Sequence, residues 1–125
     1  MDPNTLAPQN VNITEAVSLF VKRYATFGGR SSRSEFWWVM LATFIAGLVL
    51  GVIAQAAGTN MITYLFYLAT FLPSLSLACR RLHDSGKSGW LLLLSLIPFV
   101  GVIILLFFYI QASDPQDNQY GPASA

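Results

Sequence analysis

Two long stretches without a single charged side chain or histidine constrain this chain more than any other feature. From residue 36 to residue 78 there is no Asp, Glu, Lys, Arg or His, and from 90 to 112 there is none either. Soluble domains carry about a quarter charged residues, whereas here 10% of 125 residues are charged and 54% are hydrophobic. Uncharged apolar runs of about 18 residues or more are the signature of helices that cross a membrane. The runs divide into three candidate spans, at residues 36–54, 61–78 and 90–110. As helices these are about 28, 27 and 31 Å long, close to the roughly 30 Å of a hydrocarbon core. The expected fold class is all-α: a polytopic membrane protein with three transmembrane helices and an amino-terminal amphipathic interfacial helix.

The spans carry their own punctuation. Gly58 and Asn60 mark a short uncharged turn between the first two. Gly47 and Gly51 form a Gly-x-x-x-Gly pair, which lets helix backbones approach and suits packing between the chain's own spans before homodimerisation. Pro73 lies inside the second span with Ser74 and Ser76 beside it, and Pro98 with Gly101 interrupts the third. Both prolines predict kinks. A full break at Pro98 lets residues 97–101 turn back as a re-entrant hairpin, at the cost of exposing backbone to lipid. No span contains an ionisable residue, which argues against a proton relay or a charged ion pathway. Ala54-Gln55-Ala56 resembles a signal-cleavage site, but the apolar run before it is too long and starts too late for a signal peptide.

Before the first span, residues 1–11 are polar, contain Pro3 and Pro8, and read as a disordered tail. Residues 12–27 then repeat apolar side chains at helical spacing: Ile13, Ala16, Val17, Phe20, Val21, Tyr24 and Phe27. Asn12 suits a cap with Glu15 three residues on, Lys22 and Arg23 suit the far end of the dipole, and Gly28-Gly29 suits the stop. Such a helix lies in the membrane interface or against the protein's own spans. Residues 12–122 form one membrane domain, and 111–125 a polar tail.

All seven Lys and Arg residues fall in two places. Lys22, Arg23, Arg30 and Arg33 precede the first span, and Arg80, Arg81 and Lys87 lie between the second and third. The positive-inside rule therefore puts the amino terminus and the 79–89 loop in the cytoplasm and, with three crossings, the carboxyl tail outside. Trp37, Trp38 and Trp90 stand where an aromatic belt belongs. A single cysteine, Cys79, excludes an intrachain disulfide, and no zinc-ligand spacing exists. The formal net charge of +1 says nothing about nucleic acid, but no large basic face exists to bind it.

The remaining polar chemistry is one cluster: Arg30, Arg33, Glu35, Arg80, Arg81, His83, Asp84 and Lys87. Pairing of Glu35 or Asp84 with Arg80 or Arg81 would tie the first two spans together. The surplus cations suit an anionic lipid headgroup, at about 1 kcal/mol per basic residue near the surface. Gly86-Lys87-Ser88 is not a phosphate loop, because Arg81 stands where that motif needs its first glycine. His83-Asp84 offers an acid–base pair in principle, but adjacent residues rarely converge on one atom, and no second histidine completes a metal site.

Phe27-x-Gly29-Arg30-x-x-Arg33-x-Glu35-Phe36-Trp37, then Arg80-Arg81-Leu82-His83-Asp84-x-Gly86-Lys87-Ser88-Gly89-Trp90, then Asn118-Gln119-Tyr120-Gly121-Pro122 resemble in order and spacing the motifs of the domain-of-unknown-function 805 family. The resemblance covers about residues 20–122. It implies a small bacterial inner-membrane protein and no established reaction, ligand or partner. Asp117 and Gln119 depart from the family's commonly glycine-rich, often basic tail. The functional expectation is a non-enzymatic membrane protein without cofactor or metal. Its partners are membrane lipid and a protein partner or second copy, met through the Arg/His/Asp cluster. The alternatives are a small oligomeric transporter or channel and, behind it, a membrane enzyme acting on lipid.

Overall fold

A computed structural model of the protein describes residues 10–121. The polar tail assigned to residues 1–11 falls outside them up to position 9, as does Pro122. The described chain is helical: α1 (Ile13–Lys22), α2 (Arg33–Ala57), α3 (Met61–Asp84), a 3-10 helix (Gly89–Leu96) and α4 (Val100–Tyr109).

α1 starts where Asn12 accepts a hydrogen bond from the Glu15 N–H at 2.9 Å, filling an orphan donor of the first turn. It ends at Lys22, well before Gly28-Gly29. The reason lies in tertiary contacts. The Arg23 carbonyl is taken by Arg80 Nη1 at 3.0 Å and Ser76 Oγ at 3.3 Å, so the chain turns off toward α3. The apolar stripe is split by this placement. Ala16 and Phe20 are buried in the core, whereas Val17, Val21, Tyr24 and Phe27 are exposed.

Among the described residues, α2 and α3 are the two helices long and apolar enough to cross a membrane. At 25 and 24 residues they are about 37 and 36 Å long. α2 begins three residues before the expected span, because Ser32 Oγ accepts from the Glu35 N–H at 3.2 Å and caps it. It stops at Gly58, whose φ of 69° is the left-handed conformation that glycine adopts without penalty. α3 continues past the expected end at residue 78 through Asp84, with Pro73 inside an unbroken helix. Arg80, Arg81, His83 and Asp84 are thus helical residues on its last turns. Gly47 packs near Phe66 of α3, where a Cβ would sit 3.5 Å from the ring, but Gly51 faces open space. The internal helix contact therefore uses only half of the Gly-x-x-x-Gly pair.

Residues 90–110 depart most from expectation. They are not a continuous span. The 3-10 helix and α4 are about 16 and 15 Å long, half a hydrocarbon core each. Between them the chain reverses at Ile97–Pro98–Phe99, and Phe99 has a φ of 62°. Gly101 lies directly on the Leu94 carbonyl, which locks the two pieces together. Both ends of the run meet the last turns of α3: Gly89 touches Cys79, and the Tyr109 carbonyl accepts from Arg81 Nε at 3.1 Å. In place of one continuous helix the run forms a hairpin. The carboxyl tail packs against the end of α3, with the Asp114 N–H donating to the Asp84 carbonyl at 2.6 Å.

The apolar core is small: Ala16, Phe20, Phe36, Val39, Leu77, Leu82, Leu105 and Tyr109. It sits at the end where all elements meet. The rest of α2 and α3 displays large apolar side chains outward, including Phe44, Leu48, Val52, Leu68 and Phe71. A contiguous exposed apolar surface of that extent suits contact with lipid or another apolar partner.

Candidate functional site

Three guanidinium groups lie fully buried where the elements converge, and Arg23 beside them is 6% exposed. Arg30, Arg80 and Arg81 are each at most 1% exposed. Ion pairs hold them: Arg30 Nε to Asp84 Oδ1 at 2.8 Å, Arg81 Nη1 to Asp84 Oδ2 at 2.9 Å, and Arg80 Nη2 to Glu35 Oε2 at 3.3 Å. Glu35 enters on the first turn of α2, Arg80 to Asp84 on the last turns of α3, and Arg30 on the connection into α2. Spacing explains part of this arrangement: Arg81 and Asp84 are three residues apart on one helix face.

Two carboxylates do not neutralise three arginines, and main-chain carbonyls supply the rest. Arg30 donates to the carbonyls of Asp84 at 3.1 Å, Asp114 at 2.8 Å, and Gln116 and Gly121 at 3.2 Å each. With Asp84 Oδ1 that makes five acceptors for the five N–H donors of a guanidinium. Arg81 donates to the carbonyls of Tyr109, Ser31 and Gln111. Arg80 donates to those of Arg23 and Thr26 and, through Nε, to Ser31 Oγ at 2.9 Å. Ser31 Oγ in turn donates a hydrogen bond to Glu35 Oε2 at 3.0 Å. The Asp84 carbonyl belongs to the carbonyl-rich end of α3, where cations are favoured by the helix dipole.

The remaining residues of the sequence cluster stand at the rim or apart. Arg33 is exposed, with Nη1 3.4 Å from the Ile110 carbonyl. Lys87 Nζ is half-buried, 2.5 Å from Gln111 Oε1 and 5.1 Å from the centre of the Phe108 ring. His83 does not join Asp84. Its Nδ1 lies 2.9 Å from the Gly29 carbonyl, and its ring stacks on Tyr120 at 3.8 Å, whereas Asp84 is taken by Arg30, Arg81 and Ser113. The pair is therefore not built as a base and its orienter. Among the described residues no three His, Cys, Asp or Glu side chains gather as metal ligands.

Sequence reasoning missed the tail's part in the cluster. Asn118 donates to the His83 carbonyl at 3.1 Å and accepts the Tyr120 N–H at 2.8 Å, which sets Tyr120 on His83 and turns the Gly121 carbonyl onto Arg30. The signal available was the Asn-x-Tyr-Gly tail motif itself. Beside this network lies a groove of about 680 Å³ reached by Cys79, His83 and Tyr120 and walled by apolar side chains.

The chain is similar to known proteins along most of its length. The inner membrane protein YhaH of Escherichia coli strain K12 is 38% identical over 108 residues, covering 82% of this chain and 89% of that one. The inner membrane protein YhaI of the same strain is 41% identical over 103 residues, covering 81% and 87%. No solved structure matches. The model of the family described as "Protein of unknown function (DUF805)" matches residues 24–122, a segment that begins just before the Arg30 connection and ends just after the Gly121 carbonyl, and the chain belongs to that family.

Proposed function

We propose that this protein is an integral component of the bacterial inner membrane that acts by binding rather than by catalysis. In this reading α2 and α3 cross the bilayer, and the third apolar run re-enters and returns. The amino terminus, the arginine cluster and the carboxyl tail then share the cytoplasmic side. One observation carries it: the tail is hydrogen bonded through Asp114, Gln116 and Gly121 to the end of α3 and to Arg30. Every Lys and Arg then belongs to elements meeting at one end of the protein, as the positive-inside rule requires of a cytoplasmic face. The names of the relatives YhaH and YhaI support the membrane assignment.

Burial divides the cationic cluster into two roles. Arg30, Arg80 and Arg81 are closed to solvent and act as a structural lock, while headgroup contact falls to the rim cations Arg33, Lys87 and Lys22. Reporter fusions at the two termini test the layout. Both are expected in the cytoplasm, and a carboxyl terminus outside would overturn it. Arg33→Gln with Lys87→Gln is expected to lower retention of anionic lipid during purification about thirtyfold, at about 1 kcal/mol per basic residue. Unchanged retention would remove the headgroup role.

The re-entrant run favours a second reading, a small oligomeric transporter, since broken helices line cavities in such proteins. It ranks lower because residues 36–78 bring no charged side chain to a path.

A further inference from the structure

His83 is the buried member of the central motif that the ion-pair network leaves out. It is 8% exposed. A carbonyl oxygen only accepts, so the contact to Gly29 fixes the proton on Nδ1, and Nε2 presents a lone pair. That lone pair faces Cys79 Sγ at 3.5 Å, and the same sulfur also reaches the Phe27 carbonyl at 3.6 Å. A thiol is a weak donor with one proton. When that proton turns to Phe27, Nε2 is open to a stronger one.

The open side is the groove. Its 680 Å³ lies within the range of about 300–1,000 Å³ typical of small-molecule sites. Phe27, Leu75, Trp90, Leu92 and Leu93 wall it, and among the described residues no Asp, Glu, Lys or Arg lines it. Trp90 and Leu93 are 79% and 58% exposed, so its mouth lies on the apolar surface of the protein. Gly89 keeps the polar end clear: a Cβ there would run into Cys79 Sγ and come within 3.4 Å of His83 Nε2. Tyr120, stacked within 1° of parallel, fixes the plane of the imidazole.

We propose that this groove binds a neutral glycerolipid of the diacylglycerol class, its free hydroxyl donating to His83 Nε2 and an acyl chain lying between Leu75, Trp90 and Leu93. The site supplies an acceptor and apolar walls but no cation, so it matches a neutral hydroxyl head. A phosphate or carboxylate would be desolvated there without a counter-charge. The inference rests on the membrane reading, because the mouth must open to lipid.

The test uses the full chain in phosphatidylcholine nanodiscs and a diacylglycerol carrying a photoreactive acyl chain, with crosslinks mapped by mass spectrometry. Crosslinks are expected on residues 75–93, competed by unlabelled diacylglycerol and not by phosphatidic acid. His83→Phe keeps a ring against Tyr120 but removes the acceptor, and labelling is expected to fall about tenfold. Gly89→Val, checked for folding by its melting profile, should lower it further by filling the polar end. Labelling spread over α2 and α3 and indifferent to both variants would overturn the proposal, as would equal competition by phosphatidic acid or stronger competition by an isoprenoid quinol. Failure of the protein to enter nanodiscs would count against the membrane reading instead.

Discussion

Replacing Arg30 by methionine is expected to free the tail from residue 113 onward and to destabilise the protein by about 3–5 kcal/mol, the usual cost of removing one partner from a buried charge network. The side chain is 1% exposed, and its five donors meet one carboxylate oxygen and four carbonyls. Methionine fills similar space but takes the donor from the half-buried Asp114 carbonyl and from the Gln116 carbonyl, each at a cost of about 1–3 kcal/mol where water does not reach it, while the Gly121 carbonyl keeps only the Asn118 N–H. Release of the tail is the route by which water does reach them. The loss should therefore show in two readings at once: a lower melting temperature in detergent and faster proteolytic cleavage after Gln111.

Arg30→Lys should rescue little of this, since an ammonium is a point charge and cannot span four carbonyls and a carboxylate in one plane. Arg33→Met is the matched control. It removes an exposed arginine whose hydrogen bond to the Ile110 carbonyl is a long 3.4 Å, and it should stay within about 0.5 kcal/mol. If Arg30→Met and Arg33→Met behave alike, the guanidinium of Arg30 is not the fastener of the tail.

That contrast marks what the sequence can and cannot convey. The uncharged run from 36 to 78 leaves little choice but two long apolar helices, because burying so much apolar surface demands lipid or a core larger than 125 residues allow. The turn at Gly58 is equally legible from residue type. The fate of residues 90–110 is not. Hydropathy weighs the transfer of each side chain and is blind to direction, so a run of the right length scores the same whether it crosses or doubles back. Pro98 and Gly101 signal an interruption, but what decides the return is the set of main-chain carbonyls, Tyr109 and Gln111 on Arg81 and Gln116 and Gly121 on Arg30. Carbonyls carry no residue identity, so arginines grouped in sequence look like surplus charge seeking an anion. In the fold they are consumed, and Ser31, Arg23 and the tail prove as much a part of the cluster as Glu35 and Asp84.

The sign of one substitution separates the doubled-back run from a straight span. Gly101→Ala is expected to be strongly destabilising. In a continuous helix through residues 90–110, alanine at this position would improve helix propensity by about 0.8–1.0 kcal/mol. In the hairpin, a Cβ at Gly101 runs into the backbone carbonyl of Leu94, which cannot swing aside as a side chain can. α4 must then separate from the 3-10 helix, and the loss should meet or exceed the roughly 1–3 kcal/mol of ordinary overpacking. Separation also draws Leu105 and Tyr109 away from Phe36, whose ring lies 4.5 Å from that of Tyr109. Gly51→Ala is the internal comparison, a helical glycine with nothing within 4 Å of its Cβ position. It should stabilise, or at least not harm, the protein. Melting curves of the two variants in one detergent read the difference directly. Opposite signs support the return of the third run, whereas two stabilised proteins would mean that residues 90–110 cross the membrane straight and that the tail leaves on the other side.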